Sequence, residues 1–166
     1  NKSALEGERY TIDRSWYSYQ EGKTHVKQWF RTHRGEIREH EEDYTECVYD
    51  MISMMLRARS FDATDYKVGD KINFPMADGG RVEPQTLIFR GKKNFKVEDS
   101  KIKYRCLVFS FVEYKDGKEK EVVTFYITDD QNHLPVRLDM YLRFGSAKAF
   151  LTDAKGVRNP QTSIIN

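Results

Sequence analysis

Residues 134–151, LPVRLDMYLRFGSAKAFL, alternate between apolar and polar side chains at nearly every position before the glycine. Because successive side chains of a strand point to opposite faces, this pattern predicts a strand with one apolar and one wet face. Gly145-Ser146 interrupts the pattern and predicts a type II′ turn, since glycine supplies the positive φ that such a turn needs. The segment therefore predicts a β-hairpin that buries its even-numbered side chains, among them Leu138, Met140 and Leu142.

Other segments rich in β-branched and aromatic residues fill most of the chain. Residues 8–20 and 24–34 are joined by EGK and predict a first hairpin, and the turn at Arg34-Gly35 leads into a charged strand, EIREHEE. Further predicted strands occupy 67–75, 79–91, 93–98, 101–114 and 120–130. Consecutive strands with short turns favour antiparallel pairing in a meander. Residues 101–114 are apolar on both faces, which predicts a central strand covered on both sides.

One segment changes to helical spacing. Val48, Met51, Ile52 and Met55 recur with the period of a helix, so the sequence predicts a helix over about residues 45–59. Asp43 or Thr45 would cap its start, Asp43-x-x-Glu46 has the form of a capping box, and Arg57 and Arg59 would lie in its last turn. The predicted fold class is mainly β with one main helix: a curved antiparallel meander, open and barrel-like, wrapped on this helix. The whole chain, 1–166, is expected to form a single β-rich domain with a flexible tail over 155–166.

Charge and cysteine content narrow the classes of function. Charged residues make up 33% of the 166 residues but leave a formal net charge of only +2, without a basic stripe, so a nucleic-acid partner is not expected. No apolar run is long enough for a transmembrane helix. The first residues lack an initiator Met and a leader, which favours the C-terminal part of a longer protein. Cys47 and Cys106 are the only cysteines, and the sequence leaves open whether they form a disulfide.

No chemical motif emerges from the potentially reactive residues. His33 and His40 lie among acids without the spacing of metal ligands, and no motif indicates a cofactor. Cys47 would lie near a helix N-terminus, where a thiolate is favoured, but a packed apolar role is the better interpretation. Asp129-Asp130 is typical of a turn, and Asp139 is best interpreted as an ion-pair partner of Arg137. The sequence therefore predicts a protein that is not an enzyme, with an envelope hydrolase as the least favoured alternative.

The first hairpin carries the candidate binding residues. Arg14 and Trp16 share one face of the first strand, and Lys27, Trp29 and Arg31 share one face of the second. Two tryptophans among three cations suit a wall that holds an amphipathic ligand, because rings stack on apolar parts and cations bind anionic groups. The alternative is an ordinary outer face, whose rings are covered by the stems of basic side chains.

Much of the chain resembles a bacterial family of unknown function, DUF-3108. The resemblance is carried by CVYDMISMMLRAR, YKVGDKINFPM, RVEPQTLIFRGKKNF, YRCLVFSFV and, most specifically, DDQNHLPVRLDMYLRFGSAKAFL. It implies an exported Gram-negative protein, in the periplasm or associated with the outer membrane, and a YmcC-like fold. It implies no catalytic residues. Together with the first hairpin, it favours an accessory module that binds a lipid or a glycan, with a structural or protein-interaction role in the envelope as the alternative.

Overall fold

The computed structural model describes residues 10–62, 65–97, 102–142 and 145–165. In chain order its elements are β1 (Ile12–Gln20), β2 (Lys23–Arg31), β3 (Ile37–Tyr44), α1 (Met51–Ala58), β4 (Lys71–Asp78), β5 (Arg81–Lys96), β6 (Lys103–Lys115), β7 (Lys118–Thr128), β8 (Pro135–Leu142), β9 (Gly145–Phe150) and β10 (Ile164–Ile165). This mainly β, antiparallel content with a single α-helix in the described ranges confirms the predicted fold class.

The chain divides into two compact units. The first comprises Asn1–Ile52 and Phe74–Pro84, and the second comprises Ser53–Asn73 and Gln85–Asn166. One sheet has the order β1-β2-β3; the other has the order β4-β5-β6-β7-β8-β9, with β10 pairing with β6. The second sheet is an open meander, because β4 and β9 stand at the two ends of its order.

The first unit is built on the predicted first hairpin. Gln20 pairs with Lys23 across the two-residue loop Glu21-Gly22, and both loop residues have positive φ, as a type I′ turn requires. One face of β2 is buried, since Val26 packs in a cluster with Val48 and Ala77. The opposite face of the three-stranded sheet is therefore its outer face.

The helix is shorter than predicted and begins later. It spans Met51–Ala58, and its buried residues are Met54 and Ala58, whereas Ile52 is 62% exposed. The physical reason is a tertiary backbone contact: Tyr49 forms a parallel bridge with Met76, which holds the chain extended before the helix. The predicted start near residue 45 and the capping box are thus wrong, because Asp43 belongs to β3. Arg57 lies in the last turn, as predicted, whereas Arg59 lies beyond the end of the helix at Ala58.

Aromatic side chains form the centre of the second unit. Phe109, on the central strand β6, is fully buried, with ring centroids of Phe89 and Phe61 at 5.1 and 5.6 Å. Tyr66 contacts the same group, with its ring centroid 6.4 Å from that of Phe109. Residues that follow the helix therefore contribute directly to this core. The opposite face of β6 is also buried at Cys106, which confirms a central strand covered on both sides.

The hairpin of β8 and β9 forms, but its turn is not at Gly145-Ser146. Leu142 pairs with Gly145, so that Gly145 is the first residue of β9; residues 143–144, which connect the strands, lie outside the described residues. The predicted burial pattern holds at Val136 and fails further along, since Leu142 is 61% exposed and Asp139 is only 6% exposed. The buried carboxylate is accommodated because it is ion-paired with Arg137.

The C-terminal segment, for which the sequence predicts a flexible tail over 155–166, makes hydrogen bonds with the second unit. Asp130 accepts hydrogen bonds from the backbone N–H and the hydroxyl of Ser163, at 3.2 and 2.6 Å. Asn132 and Asn159 exchange two hydrogen bonds of 2.9 Å, and β10 adds a short strand to β6. The polar turn DDQN thus fastens residues 159–165 to the sheet; residue 166 lies outside the described residues.

Candidate functional site

The five candidate residues share the outer face of the three-stranded sheet. The antiparallel register pairs Arg14 with Trp29 and Trp16 with Lys27, while Arg31 pairs with residue 12 at the end of β2. Residues opposite each other in such a pair lie on the same face of the sheet. The other face of β2 is occupied by the buried residues Thr24, Val26 and Gln28. The hairpin register therefore places both tryptophans and all three cations on the outer face.

Four of the five residues line one open depression. Arg14, Trp16, Lys27 and Trp29 surround a cavity of about 450 Å³, and Arg31 is not part of its lining. Trp16 is 50% exposed, and the guanidinium of Arg14 lies 5.6 Å from the ring centre of Trp29. One indole is thus capped by a cation, while the other offers its surface to solvent.

Carboxylates of β3 complete the lining. Glu39 pairs with Trp29 and Glu41 pairs with Lys27 in the register of β2 with β3, and both glutamates border the depression. The sequence interpretation treated this strand as a charged edge and missed the two side chains. The sequence could have revealed them through the alternation of side chains along EIREHEE, because a strand places residues 37, 39, 41 and 43 on one face. The pairing with β2 then brings that face beside the tryptophans.

Ion pairs neutralise part of the positive charge at this surface. The ammonium of Lys27 lies 3.1 Å from Glu41, and His25 contacts Glu41 at 3.3 Å and Asp43 at 2.7 Å. The carboxylate of Glu39 makes no hydrogen bond or ion pair with the described residues. The depression thus offers one carboxylate acceptor that is not already engaged there.

The pKa of His25 gives a direct check of this network. The hydrogen bond to Asp43 raises the pKa of His25 above its ordinary value, because the carboxylate stabilises the imidazolium. We expect Asp43→Asn to lower the pKa of His25 towards about 6.5, as measured by NMR titration of the imidazole protons. Glu42→Gln is the matched control, since Glu42 lies near His40 on the other face. An unchanged His25 titration in Asp43→Asn would contradict the assigned contact.

The family model described as Protein of unknown function (DUF3108) matches residues 1–152. The chain belongs to the DUF3108 family. No curated protein and no solved structure matches the chain.

The two acids at the end of β7, Asp129 and Asp130, make structural contacts. Asp129 accepts hydrogen bonds from Lys92 and Arg105, each at 2.9 Å. Burial opposes ionisation of Asp129, but these two cations lower its pKa below the ordinary value. The pKa of Asp130 is also lowered: its burial acts in the opposite direction and is outweighed by hydrogen bonds, foremost that from Ser163. Both carboxylates therefore stay ionised and hold neighbouring segments together.

The two cysteines are free thiols in contrasting environments. Cys106 is buried, and burial raises the pKa of its thiol to about 12, so it stays protonated near neutral pH. Cys47 is exposed, which corrects its interpretation as a packed side chain; the helix that would have buried it begins only at Met51.

The described residues contain no cluster of three or more His, Cys, Asp or Glu side chains arranged to hold a metal ion. Over the same ranges, no helix has the length and apolar character required to cross a bilayer.

Proposed function

We propose that this DUF3108 protein is a non-catalytic binding module that holds a glycan on the outer face of β1, β2 and β3. The observation that carries the proposal is the depression in which the half-exposed Trp16 and the cation-capped Trp29 lie beside the unengaged carboxylate of Glu39. Aromatic rings stack on the apolar faces of sugar rings, and charged side chains orient hydroxyl groups through hydrogen bonds. An open depression suits a segment of a chain that continues beyond it on both sides.

The charge distribution favours a glycan over an anionic lipid. Of the cations in the lining, Lys27 is already paired with Glu41, and the guanidinium of Arg14 is stacked on Trp29. Glu39 would repel a phosphate or carboxylate head group, whereas a sugar hydroxyl would donate a hydrogen bond to it. A hydroxyl-rich, largely uncharged ligand is therefore the better match.

Location and lack of catalysis belong to the same proposal. We propose export to the periplasm or to an outer-membrane-associated position, because the family resemblance implies it and envelope glycans would be the available ligands there. A binding role without chemistry is supported by the protonated thiol of Cys106 and by the structural contacts of Asp129 and Asp130. A hydrolase is the least supported alternative.

The second candidate is a structural or protein-interaction role in envelope assembly. Strands β1 and β3 stand at the edges of the three-stranded sheet, and no other described strand pairs with their outer sides. Exposed strand edges offer backbone donors and acceptors to a strand of another protein. Tyr19, near the end of β1, is 65% exposed and would add a side-chain contact.

The chain's own fluorescence tests the glycan proposal. Trp16 and Trp29 are its only tryptophans, so the intrinsic signal reports on this face alone. We expect neutral oligosaccharides to change the emission in a saturable way, and lysophosphatidylglycerol to have little effect. Trp16→Ala should weaken oligosaccharide binding about tenfold, equivalent to about 1.4 kcal/mol, because it removes the stacking surface; fluorescence of the remaining Trp29 and calorimetry measure the affinity.

Two further variants make the test specific. Tyr19→Ala removes an exposed aromatic ring from the opposite face of β1 and should leave the affinity unchanged. Glu39→Gln should weaken oligosaccharide binding and strengthen binding of the anionic lysolipid. Thermal melting should change little in Trp16→Ala, because the indole is half-exposed. The proposal would be wrong if no glycan changed the tryptophan emission, or if Trp16→Ala lowered the melting temperature by many degrees. Either result would favour the interaction role.

A further inference from the structure

We infer that the site on the outer face of β1, β2 and β3 continues into a second depression, so that it takes a linear, uncharged oligosaccharide of several sugar units. This inference rests on the glycan role proposed above and specifies the length of the ligand. The second depression has a volume of about 400 Å³ and is lined by Ser18, Gln20, Glu21, Lys23, His25 and Asp43. All of these residues belong to the first unit, as do those that line the first depression, the one at the two tryptophans.

The strand register places the second depression on the same face as the first. In the pairing of β1 with β2, Trp16 lies opposite Lys27. Ser18 lies opposite His25, two residues further along each strand. Because side chains two residues apart on a strand point to the same face, both pairs lie on the outer face of the sheet. The second depression therefore follows the first along the hairpin, towards its turn.

A side-chain contact joins the linings of the two depressions. Glu41 lines the first depression and His25 lines the second. The carboxylate oxygen of Glu41 lies 3.3 Å from Nε2 of His25. Lys23 and Trp29, towards the two far ends, are separated along β2 by about 20 Å, at about 3.4 Å per residue. A ligand that covers both depressions must therefore be extended and longer than a single sugar.

The second depression offers polar groups that are not already engaged. The hydroxyl of Ser18, the side-chain amide of Gln20 and the ammonium of Lys23 make no hydrogen bond or ion pair with the described residues. A hydroxyl and a primary amide can each donate and accept hydrogen bonds, as sugar hydroxyls also do. The indoles of the first depression would thus stack on one part of the oligosaccharide, and the second depression would form hydrogen bonds with the next part.

The charges of the second lining favour an uncharged ligand. The lining contains the carboxylates of Glu21 and Asp43 and the basic groups of Lys23 and His25. Asp43 and His25 are already paired at 2.7 Å. The carboxylate of Glu21 would oppose the attraction of an anion to Lys23. An uncharged oligosaccharide would form hydrogen bonds with these groups without meeting a like charge.

Two lengths of one uncharged glycan test the inference in the full chain. Chitobiose and chitohexaose are built from the same sugar and differ in length. We expect chitohexaose to bind at least about tenfold more tightly, because sugars linked to the unit at the tryptophans reach the second depression without a separate binding event. Tryptophan emission and calorimetry measure both affinities, since Trp16 and Trp29 line the first depression.

A variant of the second depression should separate the two lengths. Ser18→Ala combined with Gln20→Ala should weaken chitohexaose binding about tenfold, because hydrogen bonds to the sugar are lost, and should leave the affinity for chitobiose unchanged. Both residues are exposed, so thermal melting should change little. Gln131→Ala, at an exposed glutamine of the second unit, is the matched control and should alter neither affinity.

Two kinds of result would overturn the inference, and they are distinguishable. Equal affinities for chitobiose and chitohexaose, or equal losses for both in the Ser18→Ala/Gln20→Ala variant, would confine the site to the first depression and leave the proposed glycan role intact. If neither saccharide changed the emission or produced heat on binding, the glycan role itself would be contradicted, and the inference with it.

Discussion

Replacing Phe109 with alanine is expected to lower the free energy of unfolding by about 3–5 kcal/mol. The ring is fully buried at the centre of β6 and contacts the rings of Phe61, Tyr66 and Phe89, with ring centroids 5.1 to 6.4 Å away. Its removal loses the transfer free energy of a phenyl group and leaves a cavity that these rings fill only in part. Urea unfolding followed by far-UV circular dichroism measures the change.

Tyr114→Ala is the matched control for Phe109→Ala. Tyr114 lies on the same strand and is half-exposed, with the ammonium of Lys71 located 5.1 Å from its ring centre. We expect Tyr114→Ala to lower the free energy of unfolding by less than about 1 kcal/mol, as is usual for surface substitutions. Tryptophan emission is a poor readout for either variant, because both tryptophans lie in the first unit. A loss below about 1 kcal/mol in Phe109→Ala would mean that this aromatic group is not the centre of the core.

Breaking the ion pair between Arg137 and Asp139 is expected to have the next largest effect. Two hydrogen bonds of 2.6 and 2.7 Å join the guanidinium to the carboxylate. The guanidinium also lies within 5.8 Å of the ring centres of Phe95, Tyr126 and Phe150. Asp139→Ala removes the carboxylate that is bonded twice to this mostly buried guanidinium, which should destabilise the fold by about 3 kcal/mol.

A double variant distinguishes the lost partner from lost packing. Arg137→Met combined with Asp139→Leu removes both charges and keeps apolar volume among the three rings, so we expect it to be more stable than Asp139→Ala. High salt should not reproduce the effect of Asp139→Ala, because a buried pair is screened weakly. If the double variant lost as much stability as the sum of its two single substitutions, the coupling between these side chains would be refuted.

The alternation of apolar and polar residues predicted the strands correctly where it was strict. The segment of β8 reads as a strand from its period of two alone, and the charged strand β3 follows the first hairpin as expected. The first hairpin was also predicted, with EGK as its connection; the structure shortens the loop to Glu21-Gly22 and pairs Lys23 with Gln20. Each of these features depends on neighbours within a few residues.

The helix shows that the spacing of apolar residues does not always predict the secondary structure correctly. Val48 has helical spacing from Met51 and Ile52, but the bridge between Tyr49 and Met76 keeps its segment extended. Val48 is buried, as predicted, yet in an extended segment rather than in the helix, and the helix buries Met54 instead of Ile52. The spacing alone does not reveal the backbone contact with β4 that overrides it.

In the candidate site, too, one part of the arrangement was predictable from the sequence and another part was not. Alternation along β1 and β2 was enough to group Arg14 and Trp16 on one face, and Lys27 and Trp29 on another, without saying which faces coincide. The register of β2 with β1 and β3 brings these faces together and adds Glu39. A one-residue change of register would have moved Glu39 to the other side of the sheet.

Residue periodicity alone determined that this chain forms amphipathic strands, and it set apart the aromatic and basic side chains of the first hairpin. Tertiary pairing decided which distant polar groups meet: it brought Glu41 to Lys27 and Asp130 to Ser163, and it buried the ion pair of Arg137 and Asp139 that the sequence had predicted. The physical reason is that backbone conformation follows from sterics and polarity within a few residues, whereas strand register depends on the packing of residues far apart in the chain.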